Sequence, residues 1–306
     1  MQYIEIDSND VFLNLATEEY VFHNFTDDSY LLFYTNDDSI VLGKYQNVYQ
    51  EINVPAAENA DIKVARRITG GGAVFHDSGN LNYSFIAKNE KANPLCYDDF
   101  LFPVINALNF MGIDAHKRNT CDIAIGDLKI SGSAQSVHGE RVLHHGTLLF
   151  DANMENLHHF LKVTNAVIES KAVASVPSQV TNIREHLKDS CMTIEDFKAT
   201  LLTHIFPSGV SIRKLTEEDM QQIYRLRDEK YNTWEWNWGK SPRFKFQKED
   251  VTLFIEHGII THCSIPNISS AISDALVGQR YGYQNLVRIL SPFYDTDTKT
   301  IVNQLF

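Results

Sequence analysis

Three consecutive glycines, Gly70 to Gly72, stand between two strand-like runs, IKVARRIT before them and AVFH after them. Each glycine inside regular structure costs about 0.5–1 kcal/mol relative to alanine, so the triplet must be a loop and its flanks strands. The neighbouring sequence extends that pattern. YLLFYT and SIVLGKY are short apolar runs broken by NDD, and LNYSFIA follows the turn signal DSGN. CDIAIGDLKISGSAQ reads as a hairpin turning at Gly126–Asp127, and ERVLHHGTLLF reads as a further strand. Hairpins outnumber βαβ units, so an α/β (α+β) fold on a mixed sheet is expected rather than a doubly wound one.

Helices are expected between these strands. VFLNLATEEYVFHNF follows Asp10 as its N-cap, and NVPAAENA carries Pro55 in its first turn. YDDFLFPVINALNFMG ends at Gly112, and Pro103 predicts a start or a kink within it. ESKAVASVPSQVTNI is small and polar and reads as a loop. TIEDFKATLLTHIF and TEEDMQQIYRLRDEKYN read as helices opened by threonine, the second with capping-box spacing from Thr216 to Asp219. Beyond TWEWNWGKSPRFKFQ the pattern becomes strand, His-Gly turn, strand and two short helices. We expect a large domain over residues 1–242 and a small α+β domain over 243–306, with the boundary near 240–248.

The 306 residues are 43% hydrophobic, enough for a packed core, and the net charge of −12 argues against nucleic acid or an anionic membrane as partner. The four cysteines form no CxxC pair, and neither a secretory signal nor a bilayer-spanning run is visible. A reduced, cytoplasmic chain is expected, with a monomer as its working state.

Two segments suggest chemistry. Backbone N–H groups of a glycine loop can form an anion-binding concavity, and Arg66 and Arg67 could neutralise a carboxylate or phosphate beside it. By itself the segment equally fits a tight hairpin with a surface arginine pair. It is neither a Walker loop nor a GxGxxG helix opening. In GDLKISGSAQ, strict alternation places Lys129 on one face with Ser131 and Ser133, and Ile130 on the other. A lysine aimed into a site can bind an oxyanion; taken alone, Lys129 also fits an exposed hairpin. His144 and His145 are adjacent in a strand and face opposite ways, which makes them poor metal partners; His158 and His159 fit a helix surface.

Taken in order, RRITGGGAVFHDSGNLNYSF, KISGSA and HHGTLL resemble the lipoate–protein ligase family. The likeness continues through ESKAVASVPSQVTNI, similar to that family's adenylate-binding loop, and YNTWEWNWGKSP, similar to its lead-in to a C-terminal domain. The resemblance implies a mixed α/β domain related to biotin ligases and class II aminoacyl-tRNA synthetases. It implies activation of lipoate with ATP and Mg²⁺ to lipoyl-AMP, then transfer to a lysine on lipoyl domains of 2-oxoacid dehydrogenase E2 subunits or on the glycine cleavage H protein. Lys129 would be catalytic. Arg67, Thr69, Gly72 and His76 would form the ligand pocket; Gly71, Val74 and Phe75 would line the adenylate and acyl chain. Asp122 and Thr147 would add polar contacts, Asp122 also as a possible Mg²⁺ ligand. Cys121 stands where asparagine is expected, which leaves open an ATP-independent transferase working through a Cys121 thioester or a preformed acyl-adenylate. Ala172 and Gln179 replace a more usual glycine and arginine. A non-catalytic lipoate-binding protein is a further alternative, which the intact KISGSA and RRITGGG motifs oppose. The run GKSPRFKFQK offers Lys240, Arg243, Lys245 and Lys248 as a docking surface for an acidic acceptor.

Overall fold

All five residues of Tyr30–Tyr34 are buried, although they point alternately to opposite sides. A strand apolar on both faces has to lie inside a sheet covered on both faces, and the fold is built around that requirement. The computed structural model describes residues 1–88, 96–161, 167–189, 191–265, 269–294 and 298–306. The first half of the chain runs β1 (Gln2–Glu5), α1 (Val11–Asn24), β2 (Tyr30–Tyr34), β3 (Ser39–Leu42), α2 (Val48–Glu51), α3 (Val54–Asn59), β4 (Lys63–Arg66), β5 (Val74–His76) and β6 (Asn80–Lys88). It continues with α4 (Asp98–Phe110), β7 (Ala115–Lys117), β8 (Asp122–Ile125), β9 (Leu128–His138), β10 (Arg141–Leu149), α5 (Met154–Phe160) and β11 (Val167–Ser170). After α6 (Ile194–Ile205) and α7 (Glu217–Leu226) come β12 (Phe244–Lys248), β13 (Val251–Glu256), β14 (Ile259–Ser264), α8 (Ser270–Leu276), α9 (Tyr283–Leu290) and α10 (Thr298–Asn303).

The main sheet has seven strands in the order β1-β2-β6-β10-β9-β8-β7, with β1 and β2 parallel and the other neighbours antiparallel. A three-stranded sheet, β4-β3-β5, is also mixed, and a four-stranded antiparallel sheet runs β11-β12-β13-β14. The expected mixed-sheet α/β class is therefore what the chain adopts.

Leu31 and Phe33 pack with Leu101, Val104 and Leu108 of α4 and with Phe197 and Leu201 of α6. Tyr30 and Leu32 pack on the other face, against Val21 and Phe22 of α1. That helix is also buried on its far side against Val41 and Ala65 of the three-stranded sheet. A helix covered on both sides must pair its polar groups internally, which matters below for Asn14 and Glu18.

Local signals operate as read. Asp10 caps α1 by accepting from the Phe12 N–H, and capping boxes close at Thr193–Asp196 and Thr216–Asp219, each cap contributing about 1 kcal/mol. Three readings change. Pro103 lies inside α4 rather than at its start. The first two residues of the expected loop, Glu169 and Ser170, belong to β11, because the backbone of Val167–Ser170 pairs with Phe244–Gln247 and completes the edge of the four-stranded sheet. The tail carries three helices among the described residues, and α7 runs on into two wide π-helical turns, Arg227–Tyr231 and Glu235–Gly239. Among the described residues no helix is long and apolar enough to cross a membrane.

Candidate functional site

The two arginines before the glycine loop go opposite ways, as neighbours in a strand must. Arg66 turns from the loop and is fully buried; it donates to Gly43 and Gln46 carbonyls and to Trp236 O, Asn237 O and Ser241 Oγ. It clamps the segment leading to β12, so the expectation that it meets a ligand anion is corrected. Arg67 folds back under the loop. Its Nε reaches Thr69 Oγ1 at 3.0 Å, Nη1 donates to Val41 O, and Nη2 donates to Gly70 O at 2.7 Å and Gly72 O at 2.8 Å. Burial lowers the Arg67 guanidinium to about 10, and the Glu18 charge opposes that shift, so it stays charged at neutral pH. Because Gly70 and Gly72 turn their carbonyls to Arg67, the N–H groups of Gly71 and Gly72 have no hydrogen-bond partner among the described residues. Gly71 has φ +93°, which only glycine adopts freely, and its carbonyl lies 2.1 Å from where a Cβ on Gly43 would stand.

Beneath Arg67 lies a chain of buried groups. His145 Nδ1 meets both carboxylate oxygens of Glu18 at 2.9 Å, and His145 Nε2 meets Thr69 Oγ1 at 2.7 Å. The Thr69 oxygen accepts from Arg67 Nε and shares a hydrogen bond with His145 Nε2. Glu18 also accepts from Ser84 Oγ and from Tyr34 OH. Burial pushes the Glu18 carboxyl up, but the His145 charge and these hydrogen bonds bring it net below its ordinary value. A second chain fixes His76. Asn14 Nδ2 donates to Asn36 Oδ1 at 2.8 Å, so the Asn36 amide nitrogen donates to His76 Nδ1 at 2.9 Å and the ring proton sits on Nε2. That Nε2 has no partner among the described residues. Burial, with the Arg67 and His145 charges, pushes His76 down to about 3, so the ring is a neutral donor.

The facing wall comes from β8, β9 and β10. Between Ile123 and Ala124 the pairing partner jumps from Ser131 to Lys129, leaving Ile130 as a bulge. The expected shared face of Lys129, Ser131 and Ser133 is thereby broken: Lys129 and Ser133 line the cavity, whereas Ser131 is buried away from it. Lys129 Nζ lies 2.9 Å from Asp122 Oδ1, and Asp122 Oδ2 accepts from Asn119 Nδ2. A Cβ on Gly132 would stand 2.8 Å from Lys129 Nζ, so any larger residue there displaces the amine. Thr147 lines the same wall. Cys121 is half-buried beside Asp122; burial, then the Asp122 charge, push its thiol up against the opposing pull of Lys129.

Residues 171–179 form the roof. Ser175 Oγ accepts from the Ala73 N–H and is held by Gln46 and the Glu51 carboxylate, which burial pushes up. At the far end the Lys129 N–H donates to Gln179 O, and Thr181 N–H donates to Lys129 O. Enclosed between these parts is a cavity of about 500 Å³. Of the residues expected at the site, Arg67, Gly71, Gly72, Val74, His76, Asp122, Lys129 and Thr147 line it, with Leu15, Val41, Ala134 and Val173 adding apolar surface. Thr69 does not; it stands behind Arg67. Phe75 is corrected too: it is 1% exposed and stacks on Phe160 in the core, because alternation along Val74–Phe75–His76 sends only the outer two inward. Sequence reasoning missed Glu18, Asn36, Arg118 and the role of His145. The alternation of His144 and His145 was the available signal: His145 faces the cavity, and His144 stacks against Phe100 on the other face. Among the described residues no group of three or more His, Cys, Asp or Glu side chains could hold a metal. In the basic run, Lys245 Nζ bonds Gln247 and Lys248 Nζ bonds Asn303 O.

Residues 10–206 match the model of the lipoyl protein ligase A/B catalytic domain. The chain is 41% identical over 292 residues to the lipoate-protein ligase LplJ of Bacillus subtilis, covering 89% of this chain and 88% of that one. A solved lipoate-protein ligase A bound with ATP aligns with a TM-score of 0.66 at 26% identity, over 78% of this chain and 98% of its own. The bipartite lipoate protein ligase of Thermoplasma acidophilum, solved in a study with its E2 lipoyl domain, gives a TM-score of 0.67 at 25% identity, over 81% and 98%.

Proposed function

This chain belongs to the lipoyl protein ligase A/B family, and from that premise we propose that it activates lipoate with ATP and passes the lipoyl group to a lysine of a lipoyl domain. It is an ATP-dependent ligase. The observation that carries the reading is the placement of Lys129 Nζ and the Gly71–Gly72 bend on walls of one cavity. The two unpartnered N–H groups of the bend and the His76 Nε2–H offer donors to an anionic centre, and Lys129 brings charge from the other side. A carboxylate approaching a phosphate meets like-charge repulsion, which a lysine between them reduces; the same cation stabilises charge developing on the acyl and phosphoryl oxygens. Asp122 orients that lysine. The apolar side chains on the wall suit an acyl chain, and the roof over 171–179 shields a mixed anhydride from water.

Mg²⁺ enters this reading with the ATP phosphates, whose charge it neutralises; Asp122, the lining carboxylate among the described residues, fits it, since Mg²⁺ is commonly held by one or two carboxylates plus phosphates. The same proposal divides the chain into a ligand-binding part over 1–242 and an accessory part over 243–306. Acceptors are lipoyl domains, such as those of E2 subunits. The test is pyrophosphate release with lipoate and ATP and no acceptor, followed by a mass increase of one lipoyl group on an added lipoyl domain. Transfer without any pyrophosphate release would overturn the ATP-dependent reading.

A further inference from the structure

Three cationic side chains line the cavity among the described residues: Arg67, Arg118 and Lys129, leaving aside the histidines. Two are already committed. Arg67 spends its Nε, Nη1 and Nη2 donors on the glycine loop and on Val41 O, and Lys129 is paired with Asp122. Arg118 differs from both. It sits in the turn between β7 and β8, is exposed, and spends one side-chain donor, Nη1, on Ser178 Oγ at 3.0 Å. Its Nε and Nη2 have no partner among the described residues. Its backbone N–H donates to Asp122 O at 3.0 Å, so the residue's starting point is fixed next to the Lys129–Asp122 pair.

A nucleoside triphosphate brings more negative charge than Lys129 can meet while Asp122 neutralises it, and a guanidinium with free donors is suited to phosphate oxygens. We propose that Arg118 binds the β- and γ-phosphates of ATP during activation and stabilises the departing pyrophosphate. The inference rests on the ATP-dependent reading above. In the step concerned, a lipoate carboxylate oxygen forms a bond to the α-phosphorus, the bond from that phosphorus to the bridging oxygen breaks, and the electron pair leaves on pyrophosphate, where Arg118 meets it. Lipoyl-AMP carries neither outer phosphate, so Arg118 serves the first half-reaction and not the second. Its bond to Ser178 places the guanidinium where the roof meets the wall.

The experiment compares wild type, R118A, R118K and S178A in lipoate-dependent ATP–pyrophosphate exchange, and in acyl transfer from preformed lipoyl-AMP to a lipoyl domain. R118A raises the KM for ATP and slows exchange by about tenfold or more, the equivalent of one charged hydrogen bond, and transfer from preformed lipoyl-AMP is unaffected. R118K recovers part of the loss because the charge is kept. S178A removes the tether but leaves the charge, so it raises the KM for ATP by less than R118A does. The proposal is overturned if S178A reproduces the R118A defect, if exchange and transfer fall together, or if R118A leaves the KM for ATP unchanged. Absence of exchange in the wild type would instead overturn the ATP-dependent reading itself.

Discussion

The cavity has two walls built in opposite ways. On the glycine side Glu18, His145, Thr69 and Arg67 are buried and joined in one hydrogen-bond chain, and His76 is buried in a second with Asn36 and Asn14. On the lysine side the Lys129 side chain is 26% exposed with one ion-pair partner, Cys121 is half-buried and Arg118 is exposed. The first wall sets backbone geometry before any ligand arrives, and its charges are spent on that task. The second keeps charge available. An arginine beside a glycine loop is therefore no guide by itself to where a ligand's charge is met.

If that contrast holds, the largest effect on the glycine wall is on folding. E18A leaves His145, Ser84 and Tyr34 facing an uncompensated gap and should lower stability by about 3–5 kcal/mol, read by denaturant unfolding. A loss below about 1 kcal/mol would mean that the wall is not the anchored unit described here. On the lysine wall the effect should be chemical. K129A should cut pyrophosphate exchange by about 10²–10³-fold, the scale of losing one electrostatic stabiliser, with only a small change in melting temperature. Comparable damage to stability would erase the distinction between the walls.

Acid should discriminate next. His76 on the glycine wall and His144 on the other face of the sheet are both held down to about 3, mainly by burial. An unfolded histidine titrates near 6.5, so between about 6.5 and 3 the unfolded chain takes protons that the folded chain refuses. Their stabilisation is present above the unfolded value and is lost as pH falls through that window, by about 2 kcal/mol each at pH 5. H144F, which keeps an aromatic ring against Phe100, should shrink the drop in unfolding free energy between pH 7 and pH 5 by about that amount. An unchanged slope would show that His144 is accessible to protons. The smallest effect is expected at Cys121. Its thiol is pushed up, a poor state for a nucleophile, so C121S should retain transfer within about twofold. Loss of transfer in C121S with activity kept in K129A would replace adenylation by a thioester route.

Much of the local architecture was legible in the chain. Asp10 and Thr216 cap helices as their spacing implies, Gly126–Asp127 turns the hairpin, and the glycine triplet joins β4 to β5. Phe75 was misplaced although alternation from Val74 to His76 already implied its direction. Other errors had no local signal. The bulge at Ile130 depends on how β9 registers against β8, and β11 exists because a distant strand completes it.

Turns, caps, strand periodicity and the positions that only glycine tolerates were decided by the sequence itself, because these preferences act over a few residues. Which charges serve structure and which stay free was decided by tertiary structure. Arg66 meets groups 170 and 171 positions away, and His145 meets Glu18 across 127. Burial makes unpaired polar groups costly, and only the packed sheets determine which partner lies within reach.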